Sequence, residues 1–220
     1  MIHARRPEGF APERIASLVP SLTEALFALE LGPRVVAVTD FCVHPADAVA
    51  AVPRVGGTKT PDLAALLALR PELVIANREE NRRRDIEALA AAGISVWLTY
   101  PRTVREAVAL LGELAELGAP LEARARVVAP AQAAWAAAEA SPPRQRPRVF
   151  CPIWRDPWMA VGPDTYAHDL LQLCGGDNVF GNPDSRDRRR RYPVVSLEQV
   201  VARRPDVVLL PDEPYAFSAR

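Results

Sequence analysis

The sequence predicts an α/β chain of two parallel-sheet lobes joined by a single long helix, with the second lobe incomplete. Three observations predict it. Short unbroken apolar runs alternate with helical patterns, the rhythm of a parallel sheet covered by helices. The alanine-rich stretch 121–140 breaks that rhythm with a long helical pattern lacking a wide apolar stripe. The segment LLALRPELVIA at 66–76 returns in register as VVARRPDVVLL at 200–210, a repeat of helix end, Arg-Pro stop, acidic residue and strand.

The elements follow in order. Residues 14–19 (RIASLV) form a first strand, because strands covered on both faces read as continuous apolar runs. Ser21 with Glu24 three residues on has the pattern of a capping box, and its helix should stop at Gly32-Pro33. RVVAVT at 34–39 is a second strand. Gly56-Gly57-Thr58-Lys59 lacks the spacing of a phosphate-binding loop and reads as a tight turn. Pro61 and Asp62 then open a helix with Leu63, Leu66, Leu67 and Leu69 on its apolar side. ELVIA at 72–76 is a third strand, residues 82–92 a helix closed by Gly93, and ISVWLT at 94–99 a fourth strand. Thr103, with Glu106, caps a helix to 117.

Pro130 lies within the long helix, and SPPRQRP at 141–147 ends it. RVFCP at 148–152 restarts the strand pattern. A helix over 164–173 ends at Cys174-Gly175-Gly176, Ser196 and Gln199 cap another, and DVVLL at 206–210 is the last strand. The lobes are thus expected at 1–118 and 146–220, with 119–145 as the linking helix. Too few residues follow 210 for the further helix and strand that a lobe like the first would need.

Composition excludes several classes. With 49% hydrophobic and 25% charged residues the chain is globular rather than disordered. Basic and acidic residues balance at 27 each, against a general nucleic-acid binder. No apolar run is long enough to span a bilayer. The start, MIHARRPEGFAP, has no apolar core of a secretory signal, which leaves a cytoplasmic location open. Cys42, Cys151 and Cys174 are irregularly spaced and read as free thiols, neither a disulfide framework nor a zinc site.

Ligands of parallel sheets bind beyond the carboxyl ends of the strands. The residues there are Ser21; Phe41, Cys42 and His44; Asn77, Glu79, Glu80 and Asn81; Tyr100; Trp154, Arg155 and Trp158; and Tyr215. Two of the chain's four tryptophans lie in the loop WRDPW at 154–158. They are either a rigid wall for a bulky ligand or a satellite core under the loop. Cys42 and His44 are good metal ligands, but the three histidines are scattered, so packing is the simpler reading and no metal site is expected. Glu79 and Glu80 suit either acid–base work or a helix N-terminus. No nucleophile elbow, Walker loop or dinucleotide fingerprint is present, and no catalytic residue is expected. The arginine-rich run 186–191 reads as a solvated loop, with anion or partner docking as the alternative.

Taken together, RIASLVPSLTE (14–24), GGTKTPDL (56–63), LRPELVI (69–75), CGGDNVF (174–180) and VSLEQV (195–200) resemble the substrate-binding proteins of ABC importers for cobalamin and iron chelates, in particular the vitamin B12-binding or helical-backbone metal receptor group. The resemblance covers nearly the whole chain and rests on the order and spacing of these segments. It implies two Rossmann-like lobes joined by one rigid helix, as in class III periplasmic binding proteins. It also implies a periplasmic or other extracytoplasmic location, a monomer, and no enzymatic activity, cofactor or nucleic-acid partner. The implied ligand is a bulky metal chelate, most directly cobalamin or another corrinoid, delivered to an ABC permease. An iron-siderophore-binding protein and a cytosolic corrinoid- or chelate-handling enzyme are the alternatives.

The group's aromatic ligand positions fall on Phe41, Tyr192 and the loop of Trp154 and Trp158, while two more are occupied by Thr58 and Asn77. Ser21, Asn77, Glu79, Asn81 and Arg155 would supply polar contacts. One glutamate on each lobe docks the permease in that group. Glu198 matches the second position, and the first falls on Ala64, with Asp62 close by.

Overall fold

The apolar runs of the first half assemble into one sheet in a computed structural model that describes residues 1–7, 9–181, 191–212 and 214–217. In chain order the elements are β1 (Ile2–His3), β2 (Ile15–Ser17), α1 (Pro20–Ala28), β3 (Val35–Val38), α2 (Ala46–Val49), β4 (Gly56–Gly57), β5 (Thr60–Pro61), α3 (Leu63–Ala68), β6 (Leu73–Asn77), α4 (Arg83–Ala91) and β7 (Ser95–Thr99). The strand order is β1-β7-β6-β2-β3, and every neighbouring pair is parallel. Leu73, Val74, Ile75 and Ala76 of the central β6 are wholly buried, as a strand covered on both faces requires. One face carries a core of Leu26, Leu29, Trp97 and Leu114; the other carries Leu66, Ile86, Leu89 and Val96. β1 was not foreseen. Its two residues are too short to show a period, and they gain strand identity only by pairing Ile2 with Val96.

The expected capping box at Ser21 does not form. α1 begins at Pro20, with Val19 as an N-cap that makes no side-chain bond. Proline has its φ preset for the first helical position, so the helix starts ahead of the serine. The other two caps do form. The Glu106 N–H donates to Thr103 Oγ1 at 3.1 Å, and Ser196 and Gln199 make the full reciprocal box.

Two long helices follow, α5 (Val104–Ala115) and α6 (Leu121–Ala140). The chain divides into two compact units, Met1–Tyr100 with Val108–Gln132, and Pro101–Ala107 with Ala133–Arg220. The division thus runs through α5 and α6 themselves and not at residues 118 and 146.

The second unit contains β8 (Arg148–Phe150), β9 (Pro152–Trp154), β10 (Met159–Ala160), α7 (Tyr166–Leu173), β11 (Asp177–Asn178), α8 (Leu197–Ala202) and β12 (Val207–Val208). Its parallel sheet has the order β11-β8-β12, and β9 with β10 forms an antiparallel hairpin. α7 starts later than residue 164 because the Thr165 hydroxyl caps it.

The internal repeat is visible in the backbone. Arg70 and Arg204, at equivalent positions, both turn through the left-handed region, with φ of 47° and 45°. The surroundings differ. Val207, Val208, Leu209 and Leu210 are 38–56% exposed, whereas their counterparts Leu73 to Ala76 are fully buried. β6 is flanked by β7 and β2, while β12 pairs with β8 alone among the described residues. Of the arginine-rich run, residues 186–190 lie outside the described residues.

Candidate functional site

In the first unit, the loops beyond the carboxyl ends of the strands are tied together by buried polar side chains. Asn81 is the hub. Its Oδ1 accepts the Asn77 N–H at 2.8 Å, and its Nδ2 donates to the Thr58 carbonyl at 3.0 Å and the Leu18 carbonyl at 3.3 Å. These bonds join the ends of β2 and β6 to the β4–β5 hairpin. Gly56 makes that hairpin possible: its φ is +80°, and a Cβ there would lie 2.8 Å from the Thr60 carbonyl. Lys59, on the hairpin tip, donates to the Glu79 carbonyl.

After β3 the side chains alternate. Cys42 is buried beside the hydroxyls of Thr23 and Thr39, and Phe41 is turned outward with 61% of its surface exposed. The Arg54 guanidinium fixes this turn by donating to the carbonyls of Thr39 and Cys42, each at 2.8 Å. Asn77 is half-buried; its Oδ1 accepts the Glu79 N–H at 2.8 Å. Glu79 is likewise half-buried and has a partner. Ser21 is exposed on the first turn of α1. Arg78 stacks over the Tyr100 ring, 5.1 Å from its centroid. Of the expected polar contacts, Asn81 is therefore turned inward. Its amide is spent on loop architecture, because a buried polar group must be satisfied locally.

In the second unit four aromatic rings gather beyond the carboxyl ends of β8 and β12. Trp158 lies parallel to Phe217, with a 9° interplanar angle and 6.0 Å between centroids. Trp154 meets Tyr215 edge-on at 5.4 Å, and Tyr215 touches Phe217 at 4.7 Å. Trp154 is 41% exposed. Trp158 is half-buried and rests on a small core containing Phe150, Val179, Phe180, Val195 and Val200. Trp158 is thus rooted in a satellite core, whereas Trp154 faces out.

The strand-like segment 191–195, which carries the exposed Tyr192, runs along β10. The Ala160 N–H donates to the Pro193 carbonyl at 3.0 Å, and the Val195 N–H donates to the Trp158 carbonyl at 2.9 Å. Arg191 stacks on Tyr192 at 5.8 Å and donates from Nε to the Asp164 carbonyl. Arg155 lies 5.9 Å over Trp158. Tyr215 stood after the last strand in the sequence but was not among the expected contacts, and Phe217 was missed. The available signal was the alternation Tyr215-x-Phe217, which sets two rings on one side of an extended segment.

The docking candidates are both exposed. The Asp62 carboxylate caps α3 by accepting the Ala65 N–H at 3.0 Å. Glu198 stands on the first turn of α8, where a hydrogen bond from Ser196 holds its carboxyl below the usual range. Ala64 and Glu198 sit at equivalent places one residue inside their helices. Among the described residues no group of three His, Cys, Asp or Glu side chains could hold a metal.

Two surface cavities lie elsewhere. One of about 340 Å³ is lined by residues including Arg105, Trp135 and Asp169, and one of about 570 Å³ by residues including Phe27 and Val52. None of the expected ligand residues lines either. The expected site residues that face outward lie on open loop surfaces within each unit.

Residues 15–214 match the periplasmic binding protein family. The vitamin B12-binding protein of Yersinia pestis (strain Pestoides F) is 30% identical over 201 residues, which are 91% of this chain and 70% of that protein. Among solved structures, the periplasmic vitamin B12-binding protein BtuF of Vibrio cholerae superposes with a TM-score of 0.78 at 27% identity, covering 91% of this chain and 77% of that one. The periplasmic heme-binding protein RhuT from Roseiflexus sp. RS-1 gives 0.70 at 25% identity, covering 90% and 76%. The α/β architecture with parallel sheets is the class III one, and this chain belongs to the periplasmic binding protein family.

Proposed function

We propose that this protein binds a bulky, flat metal chelate, a corrinoid such as cobalamin in the first place, and delivers it to an ABC importer in an extracytoplasmic compartment. The observation that carries the reading is the four-ring cluster of Trp154, Trp158, Tyr215 and Phe217. Large rigid rings give contact area at little cost in side-chain entropy, and burying one against a macrocycle stabilises the complex by roughly 1.5–3 kcal/mol. Phe41 and Tyr192 add exposed rings, and Ser21, Asn77, Glu79 and Arg155 add polar groups at the loop tips. The vitamin B12-binding relative supports a corrinoid. The heme-binding neighbours keep an iron tetrapyrrole as the second reading.

The protein acts by holding its ligand and has no reaction of its own. Glu198 and Asp62 are the exposed carboxylates through which a permease would be met, one at each helix start. The test is co-elution. The chain is mixed in turn with cobalamin, haem and a ferric siderophore, then passed over a sizing column. Coloured chelate travelling with the protein and recovered unchanged supports the reading. Free chelate in all three runs refutes the binding role, and a chemically altered chelate refutes the non-enzymatic one.

A further inference from the structure

We infer that the second unit carries a separate small-molecule site, which takes a zwitterion with an apolar body, of the class of a free aromatic or aliphatic α-amino acid. The site does not depend on chelate binding. It is the cavity of about 340 Å³ between the first turn of α5, the end of α6 and α7, and all of its lining residues belong to the second unit. That volume is at the small end of the range for small-molecule pockets. Two helices turn one face each into it. α6 presents Trp135 and Glu139, four residues apart, and α7 presents Asp169 and Leu173 at the same spacing. The half-buried Trp135 and Leu173 give an apolar wall. Arg105 lies over the Trp135 ring, 5.8 Å from its centroid. Arg146 is held in place by Nη2, which donates to the carbonyls of Gln172 and Gly176 at 3.0 and 3.2 Å.

Charge balance selects the ligand. Arg105 and Glu139 are exposed, and among the described residues neither makes a hydrogen bond or an ion pair. A guanidinium stacked on a ring keeps its N–H edge open to a carboxylate. Two arginines and two carboxylates line the cavity, so a simple anion meets Glu139 and Asp169, and a simple cation meets Arg105 and Arg146. A molecule bearing both signs satisfies both pairs. The helix ends set its direction. Asp169 Oδ2 and Thr103 Oγ1 already accept N–H groups of the first turn of α5, from Val104 at 2.7 Å and from Glu106 at 3.1 Å. The ligand's carboxylate therefore falls to Arg105 and Arg146. The last turn of α6 leaves carbonyls without intrahelical partners and is the negative end of its dipole. The ammonium therefore falls beside Glu139.

The experiment titrates the whole chain calorimetrically with L-phenylalanine and with L-leucine. Three further probes each lack one feature: N-acetylphenylalanine the ammonium, phenylalanine amide the carboxylate, and glycine the apolar body. The expected result is a one-to-one complex with phenylalanine or leucine, with a dissociation constant below about 1 mM. The blocked forms and glycine should bind at least about tenfold more weakly. Arg105→Gln and Glu139→Gln should each weaken the complex severalfold, while Trp158→Ala leaves it unchanged, as a site in this cavity and not on the aromatic loops requires. Dissociation constants above about 1 mM for both amino acids overturn the inference. So does equal binding of either blocked form, and so does loss of binding in Trp158→Ala with retention in Arg105→Gln. The five probes on the unmodified chain decide the matter even if a variant fails to fold.

Discussion

Arg14 and Arg148 make the same bonds at the same place in the two units. Arg14 donates from Nε to the Arg70 carbonyl at 3.1 Å and from Nη2 to the Leu69 carbonyl at 2.6 Å. Arg148 donates from Nε and Nη2 to the Arg203 carbonyl at 3.0 and 2.6 Å, and from Nε to Arg204 at 3.2 Å. Each arginine's own N–H is in turn accepted by an acidic residue that opens the next strand, Glu72 in one unit and Asp206 in the other. The carbonyls so held are the last of a helix, and a cation at that end also meets the helix dipole favourably.

Replacing Arg148 by lysine keeps the charge and loses the fork. The Arg148→Lys protein should lose about 1–3 kcal/mol of unfolding free energy, read from the urea midpoint, and Arg14→Lys should lose a similar amount. An unchanged midpoint in both would show the clamp to be without consequence.

Asn81→Ala should cost roughly 2–4 kcal/mol, because it leaves the Asn77 N–H and two carbonyls without their partner. Asn81→Asp should be no better, since a carboxylate would face the carbonyls of Leu18 and Thr58. Calorimetric melting of both variants checks this, and a stable aspartate variant would contradict the hub assignment.

The parallel sheet was legible because its strands are buried on both faces and declare themselves as runs such as ELVIA and ISVWLT. The long helix was legible because its alanines favour helix without a wide apolar face. The loop chemistry was less so. That Asn81 points inward depends on where the Leu18 and Thr58 carbonyls lie, which no local pattern records. Ser21 looked like a cap because the spacing to Glu24 was right, and Pro20 overrode it. Phe217 escaped notice because its stacking partner, Trp158, is distant in sequence.

His168 should make the second unit acid-sensitive. Burial holds its pKa below 6.5, against the opposing pull of Asp169 and Asp177. The geometry agrees. Asn178 Oδ1 accepts the Phe180 N–H, so its Nδ2 must be the group donating to the Val161 carbonyl and to His168 Nδ1. Nδ1 therefore has to be unprotonated. The unfolded chain takes up this proton first as pH falls, so the stabilisation is full above 6.5 and is lost on going below it. Melting temperature should drop between about pH 8 and about pH 5, and His168→Gln should flatten that drop. An identical pH profile in the variant would exclude His168 as its source.

The side of β12 away from β8, which has no strand partner among the described residues, should drive self-association of this chain. Val208 is 52% exposed there, and uncovered apolar edges template strand pairing. Val208→Lys should raise the concentration at which light scattering first appears while leaving the melting temperature within about 1 °C. Unaltered scattering would show the edge to be innocuous.

The central claim is that aromatic loops grip a flat chelate. Isothermal titration of the full chain with cobalamin and with haem tests it most directly, repeated on Trp158→Ala and on Trp97→Phe as a control in the sheet core. The account predicts one-to-one binding of at least one chelate, weakened by roughly tenfold or about 1.4 kcal/mol in Trp158→Ala and retained in Trp97→Phe. Absence of heat with both chelates, or an undiminished affinity in Trp158→Ala, would contradict it.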